Sequence, residues 1–142
     1  MKIRLVMIGK TRREEMRTLF EEYMERVGHH APVEIVEVRD TEGALKKLAE
    51  VRAANSVLLD AAGRQYSSEE FARWIGEMRD RGTRELFFLC GGADGFDEAL
   101  VRRAHHKLSL SGLTFSHELA RVMLAEQLYR AFAILSGSPY PK

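Results

Sequence analysis

Glu85-Leu86-Phe87-Phe88-Leu89-Cys90-Gly91-Gly92-Ala93-Asp94-Gly95 is the stretch on which the fold class turns. Its apolar run is too short for a buried helix, does not alternate with polar residues, and stops at glycine, as in a strand covered on both faces. Working upstream, Ser56-Val57-Leu58-Leu59-Asp60 reads as a second short buried strand. Between the two, Ser67 followed by Glu69 and Glu70 starts a helix whose Phe71, Trp74, Ile75 and Met78 share a face, and Gly82 stops it. Ile3 to Ile8, closed by Gly9, is another strand, followed by a helix from Arg12 to Val27 through Met16, Leu19, Phe20, Tyr23 and Met24. The unit repeats in the strand Val33 to Val38 and in a helix from Thr41 marked by Ala44, Leu45, Leu48 and Val51. Downstream of the glycines the pattern predicts a helix from about Asp97 to His106, a short Leu108-Ser109-Leu110 segment and a last helix from about His117 to Leu135. Strands alternating with helices predict an α/β fold, with a mainly parallel sheet flanked by helices and ligands bound beyond the carboxyl ends of the strands.

The 142 residues carry no internal repeat, low-complexity tract or dividing linker, so residues 1–142 read as a single domain. The apolar run at the N-terminus is too short and too charged for a signal peptide, and nothing later approaches a membrane span, so a cytoplasmic location is expected. A single cysteine, Cys90, rules out an internal disulfide and a paired-cysteine zinc site. The net charge of +1 gives almost no bulk attraction for nucleic acid, so any RNA binding must use a local or composite surface.

Two glycine-bearing turns follow buried strands: Asp60-Ala61-Ala62-Gly63 after Leu59, and Gly91 to Gly95 after Cys90. Glycine allows backbone groups to approach a flat ligand such as adenine, although the second turn is equally a tight turn and no more. Neither matches a dinucleotide or triphosphate loop. Leu108 to Phe115 is apolar and small by turns, which fits a packed loop as well as an edge strand with its connection. In the last helix His117 and Arg121 stand one turn apart, and Glu126 and Arg130 form a second such pair; capping and a surface ion pair account for these positions in isolation. Lys10, Arg12 and Arg13, and the cluster Arg102, Arg103, His105, His106 and Lys107, suit phosphates or plain solvent. The adjacent pairs His29-His30 and His105-His106 lack the spacing that aims two imidazoles at one metal, and no metal is expected.

Taken together these motifs resemble one family. Lys2 to Lys10, Leu59-Asp60 with Gly63, Gly91-Gly92-x-x-Gly95, Leu108 to Ser111, His117-x-x-x-Arg121-Val122, and the ending from Glu126 to Phe132 and on to Pro139-Tyr140 are similar to the large-subunit ribosomal RNA pseudouridine N3-methyltransferases, a branch of the SPOUT methyltransferases. The resemblance spans essentially the whole chain. It implies a C-terminal trefoil knot, a feature that periodicity cannot reveal. It also implies S-adenosylmethionine as cofactor, held by Leu59, Gly91 and Gly92 on one side and by Leu110, Ser111, Gly112, Leu113, Thr114 and Phe115 on the other. The implied substrate is ribosomal RNA in the assembled ribosome. Many relatives carry a histidine after the Pro-Tyr pair and then a basic residue, whereas Pro141 and Lys142 stand here; Ser116 replaces a common proline.

A sulfonium already activates the methyl group, so the expected work of the protein is alignment and charge stabilisation. On this reading Arg130 lies near the base or its phosphate, Tyr140 positions or stacks, Lys142 meets the RNA backbone, and His117 orients the site. The apolar Leu119, Val122, Met123, Leu128, Phe132 and Leu135 of the last helix exceed what one sheet face obviously requires, and a homodimer with a shared RNA site is expected. Two rivals remain: a ribosome-binding protein of the same fold that has lost catalysis, and a methyltransferase for another RNA or a small molecule.

Overall fold

The computed structural model describes residues 1–50 and 54–140. Five parallel strands form one sheet: β1 (Lys2–Ile8), β2 (Val33–Val38), β3 (Ala54–Gln65), β4 (Glu85–Cys90) and β5 (His106–Ser109), in the spatial order β2-β1-β4-β3-β5. The helices are α1 (Glu14–Gly28), α2 (Thr41–Ala49), α3 (Ser68–Asp80), α4 (Glu98–Arg103) and α5 (His117–Ser136).

Strand alternation divides the core. Ile3, Leu5 and Met7 of β1, with Leu86, Phe88 and Cys90 of β4, face a cluster built with α1, α3 and α5. Val6, Phe87 and Leu89 point to the other face, where Ala44 and Leu48 of α2 and Leu100 of α4 cover them. The sheet is thus wrapped on both sides, which explains why its central strands lack the polar alternation of a half-exposed sheet.

Local signals set several boundaries. Ser67 caps α3 in a complete capping box, its side chain accepting from Glu70 N at 3.0 Å while Glu70 accepts from Ser67 N at 2.8 Å. Ser116 caps α5 by accepting from Leu119 N, so serine fills the position that the resemblance gives to proline. Gly137, at φ 73°, ends α5 in the left-handed conformation that glycine adopts without strain.

Two sequence expectations need correction. The turn Asp60-Ala61-Ala62-Gly63 lies inside β3, where the register against β5 shifts so that Leu59 and Arg64 both pair with Leu108. Gly63 is needed there for chain passage, since a Cβ would sit 2.6 Å from the Lys107 carbonyl carbon. The helix expected to reach His106 stops at Arg103 instead. Here Ser56 N donates to His105 Nδ1 at 3.1 Å and His105 N donates to Ser56 Oγ at 3.1 Å, pulling the chain into the sheet one residue before β5. Val51, expected on the α2 face, lies outside the described residues.

Candidate functional site

β1 leads through α1 toward β2, on one side of the sheet, while β4 leads through α4 toward β5, on the other. Chains that diverge from neighbouring parallel strands leave a crevice at their carboxyl ends. A cavity of about 360 Å³ opens at this end of the sheet. Its walls come from Leu59, Asp60 and Ala61 of β3, Cys90 at the end of β4 with Gly91 and Gly92 after it, and the connection from β5 to α5.

Eight of the nine residues expected around the cofactor, Leu59, Gly91, Gly92, Leu110, Ser111, Leu113, Thr114 and Phe115, line this cavity. Gly112 is off its wall, with open space around it apart from Gln65 Nε2 at 3.6 Å from an added Cβ. The 110–115 connection folds on itself: Ser109 Oγ donates to Ser111 O at 2.9 Å, and Ser111 Oγ accepts from Leu113 N at 3.1 Å. Leu113 nevertheless remains 72% exposed, so its side chain is available at the rim. Sequence reading missed Phe96, Val101 and Ala120 on the walls. Their signal was weak, a short α4 and an α5 position of no special chemistry.

The two glycines do a different job from making room for a flat ligand. A Cβ on Gly92 would lie 2.9 Å from Ile8 O, and one on Gly91 would press on Gly95 O at 3.2 Å and on the Phe96 ring at 3.3 Å. Their bare Cα atoms let the β4 turn close onto the end of β1 and onto itself. The cavity shape depends on that closure.

His117 lies on the cavity wall, its Nε2 3.8 Å from Glu118 Oε2. Glu118 is 8% exposed and its carboxylate accepts from Arg12 N at 2.8 Å and Arg13 N at 3.0 Å. These two backbone donors hold its carboxyl below the usual carboxylate range. Arg121, the largest fully buried side chain, is 1% exposed. It donates from Nη1 to Thr11 Oγ1 at 3.0 Å, and from Nη2 to Ile8 O at 2.7 Å and Gly91 O at 3.4 Å. Burial lowers its pKa, opposed by the nearby Cys90, Glu37 and Glu118. The sequence reading of His117 and Arg121 as a capping pair is therefore incomplete. Arg121 shares a stripe with Leu124, Ala125, Leu128, Ala131 and Phe132, and a cation inside an apolar stripe was the available signal. Cys90 is buried beside it, and burial pushes the thiol up to about 12.

Arg130 and Tyr140 lie apart from the cavity. Thirteen residues separate His117 from Arg130 along α5, about 20 Å at the rise of an α-helix. The chain after Gly137 folds back so that Tyr140 Oη donates to Glu126 Oε2 at 2.9 Å. Arg130 donates to the same oxygen from Nη2 at 2.8 Å and from Nε at 3.1 Å, and its guanidinium lies 4.6 Å from the Tyr140 ring centre. Burial, then hydrogen bonds with Tyr23 and Glu126, raise the Tyr140 phenol above its ordinary value, so it serves as a neutral donor and not as a base. The Glu126 and Arg130 pair is thus part of a three-residue cluster joining helix and tail. Lys142 and Pro141 lie outside the described residues.

The remaining clusters are local. His105 turns inward to Ser56, which removes it from the basic run, and Arg102 pairs loosely with Glu98 at 3.9 Å. His30 stacks on Phe132 with ring centres 5.7 Å apart. Among the described residues no group of His, Cys, Asp and Glu is placed to hold a metal ion, and no helix is long and apolar enough to cross a membrane.

A parallel sheet with its cavity at the end of β4 and beside the bulged middle of β3, walled by the connection into a long last helix, defines a class that comparison with known proteins makes specific. A family model described as predicted SPOUT methyltransferase matches residues 1–141, and the chain belongs to this family of methyltransferases. The chain is 43% identical to the ribosomal RNA large subunit methyltransferase H of Geobacter sulfurreducens and 40% identical to that of Geotalea daltonii, each alignment covering 99% of both chains. The protein of the same name from Koribacter versatilis is 41% identical, over 99% of this chain and 97% of its own. Among solved structures, a probable methylase family protein from Haemophilus influenzae Rd KW20 superposes with a TM-score of 0.62 at 14% identity, over 99% of this chain and 70% of that one, and supports the fold.

Proposed function

We propose that this chain, as a single domain of residues 1–142, transfers a methyl group from S-adenosylmethionine to N3 of a pseudouridine in large-subunit ribosomal RNA. The observation that carries the RNA substrate is the match at about 40% identity, over nearly the full length of both chains, to relatives named ribosomal RNA large subunit methyltransferase H. The fit of the cofactor is supported by the cavity itself. Its volume lies in the range of small-molecule sites, and its walls mix Leu59, Phe96, Val101 and Phe115 with the backbone polar groups of Gly91, Gly92, Ser111 and Thr114. Those are the groups that would hold the adenosine part. When bound, S-adenosylmethionine supplies a methyl group already activated on a sulfonium. The cavity carries no phosphate loop, in keeping with a ligand that has no phosphate.

On this reading His117 orients the site from the wall, while Arg130 and Tyr140 serve the RNA side. Their distance from the cavity within one chain favours a homodimer in which the partner's tail meets this chain's cavity. The neutral phenol of Tyr140 suits positioning or stacking on a base. The surplus of apolar surface on α5 is smaller than its sequence suggests, because Val122, Leu128 and Phe132 are buried in the chain's own core. Leu119, at 36% exposed, and Ile134 are the large apolar side chains that α5 leaves exposed for an interface, and Leu19 of α1 and Leu113 before α5 are exposed as well. A trefoil knot in the C-terminal part, action on the assembled ribosome and a cytoplasmic location complete the proposal. With a net charge of +1, recognition rests on the shape of the assembled particle more than on bulk attraction.

The test is incubation of the purified protein with methyl-labelled S-adenosylmethionine and ribosomes that lack the modification, followed by mapping of the labelled nucleotide. Label at one pseudouridine is the expected result. Cofactor binding without transfer would support a ribosome-binding protein that has lost catalysis, and labelling of free transcripts would support a different RNA substrate.

A further inference from the structure

Arg121 poses a problem of energy. A cation removed from water costs several kcal/mol unless paired, and residues of similar size and no charge pack the neighbouring α5 positions, Leu124 and Leu128, without that cost. No ion pair involves its guanidinium among the described residues, and its Nε, also buried, has no hydrogen-bond partner. Its other donors are spent at one place, on two backbone carbonyls and one threonine hydroxyl. The β1 and β4 ladder ends with the pair Met7 and Cys90, and the next residues on the two strands are Ile8 and Gly91. Both of their carbonyls receive Arg121 Nη2, while Nη1 reaches Thr11 in the connection to α1. The guanidinium is thus a staple set where the two chains diverge, continuing the sheet by one pair beyond its last register partner. Gly92 belongs to the same device, because a Cβ there would crowd Ile8 O, the acceptor of the shortest of the three bonds.

We propose that Arg121 is a positioning residue for the methyl-donor cavity: by tying the carbonyls of Ile8 and Gly91 to each other and to Thr11, it holds the Gly91 to Gly95 turn in its ligand-binding shape before any ligand arrives. The proposal rests on the reading of this cavity as the S-adenosylmethionine site, but its structural half is testable without ligand. A fork of nitrogens is required, since the single ammonium of lysine retains the charge and cannot span the three acceptors.

The experiment compares wild type with Arg121→Lys by amide hydrogen exchange of the ligand-free protein and by calorimetric titration with S-adenosylhomocysteine. Exchange at residues 92 to 96 rises about tenfold while that of α3 stays unchanged, and affinity falls about tenfold. Ala44→Gly, in α2 on the opposite face of the sheet, serves as a control for general destabilisation. Unchanged exchange and affinity in Arg121→Lys overturn the proposal, as does an equal change in an Ala44→Gly protein with the same loss of melting temperature. Should Arg121→Lys not fold, Thr11→Val removes one acceptor and moves exchange in the same direction to a smaller extent; no movement there overturns the proposal too. If wild type binds no S-adenosylhomocysteine, the methyl-donor reading of the cavity fails, while the exchange result still decides the role of Arg121.

Discussion

Glu126, Arg130 and Tyr140 show how a residue pair changes meaning when its surroundings are known. In sequence Glu126 and Arg130 are one helical turn apart, a spacing worth a few tenths of a kcal/mol on an exposed surface. In the structure one carboxylate oxygen receives Arg130 and Tyr140 together, and the guanidinium lies over the phenol ring. Arg130→Ala therefore frees the tail as well as removing the charge that the proposed function assigns to the RNA side. The expected outcome is a loss of methyl transfer of about a hundredfold or more, as for removal of one charged group from a transition-state site, with cofactor affinity within about twofold of wild type. Equal losses of rate and affinity, measured by steady-state kinetics and calorimetry, would place Arg130 in the cofactor site or show a collapsed helix. Cys90 gives a second test at this scale. Its thiol is buried and raised to about 12, so at pH 8 the folded protein contains almost no thiolate. Iodoacetamide is expected to label Cys90 quickly in urea and negligibly in buffer, read by mass spectrometry; rapid labelling of the folded protein would contradict that burial.

At the scale of elements, the first turn of α5 organises the ligand end of the sheet from below. Glu118 receives two successive backbone donors of the turn before α1, and Arg121 donates to the carbonyls at the ends of β1 and β4. Glu118 has its folded pKa below the reference 4.5, so its contribution to stability is complete above that value and is lost as pH falls through the folded pKa. Glu118→Gln should lower the melting temperature at pH 7, with the gap to wild type narrowing as pH falls below the reference 4.5 and through the lower folded pKa; a gap independent of pH would mean that the charge does not matter. The strand and helix pattern was legible because each apolar run has a physical period: β2 and β4 have the predicted bounds, and Ser67 and Ser116 cap where their hydroxyls suggest. What could not be read were the tertiary effects. The bulge that keeps Asp60 to Gly63 within β3 is set by the pairing with β5, and the early stop of α4 is set by a histidine bonding to a serine 49 residues away. The cavity residues were found through family resemblance, since leucine, serine and glycine in a loop have no chemical signature of their own. Arg121 needed only the helical period, which places it among leucines and alanines.

For the whole molecule, the distance between the cavity and the Arg130 and Tyr140 cluster is what the shared-site proposal has to explain. The cavity lies at the carboxyl end of the sheet beside the start of α5, and the Arg130 and Tyr140 cluster lies about four turns further along the same helix. An RNA base cannot touch both in one chain without a large rearrangement, whereas a symmetric pair of chains can place one chain's tail at the other's cavity. Exposed Leu19, Leu119 and Ile134 supply apolar surface for such a pair, less than a purely sequence-based view of α5 suggests. The decisive measurement mixes two inactive proteins. Arg130→Ala lacks the cation proposed for the RNA side, and Ala120→Phe fills the cavity from a wall position on α5 that is only partly buried. Each alone should be inactive. In an equimolar mixture about half the dimers are mixed, and each mixed dimer has one site with both defects and one with neither, so activity should return to about a quarter of wild type. Light scattering fixes the mass of the active species, and tagged copies confirm exchange of subunits. An active monomer, or exchanged subunits that recover no activity, would put cavity and cluster in the service of one chain and end the shared-site proposal.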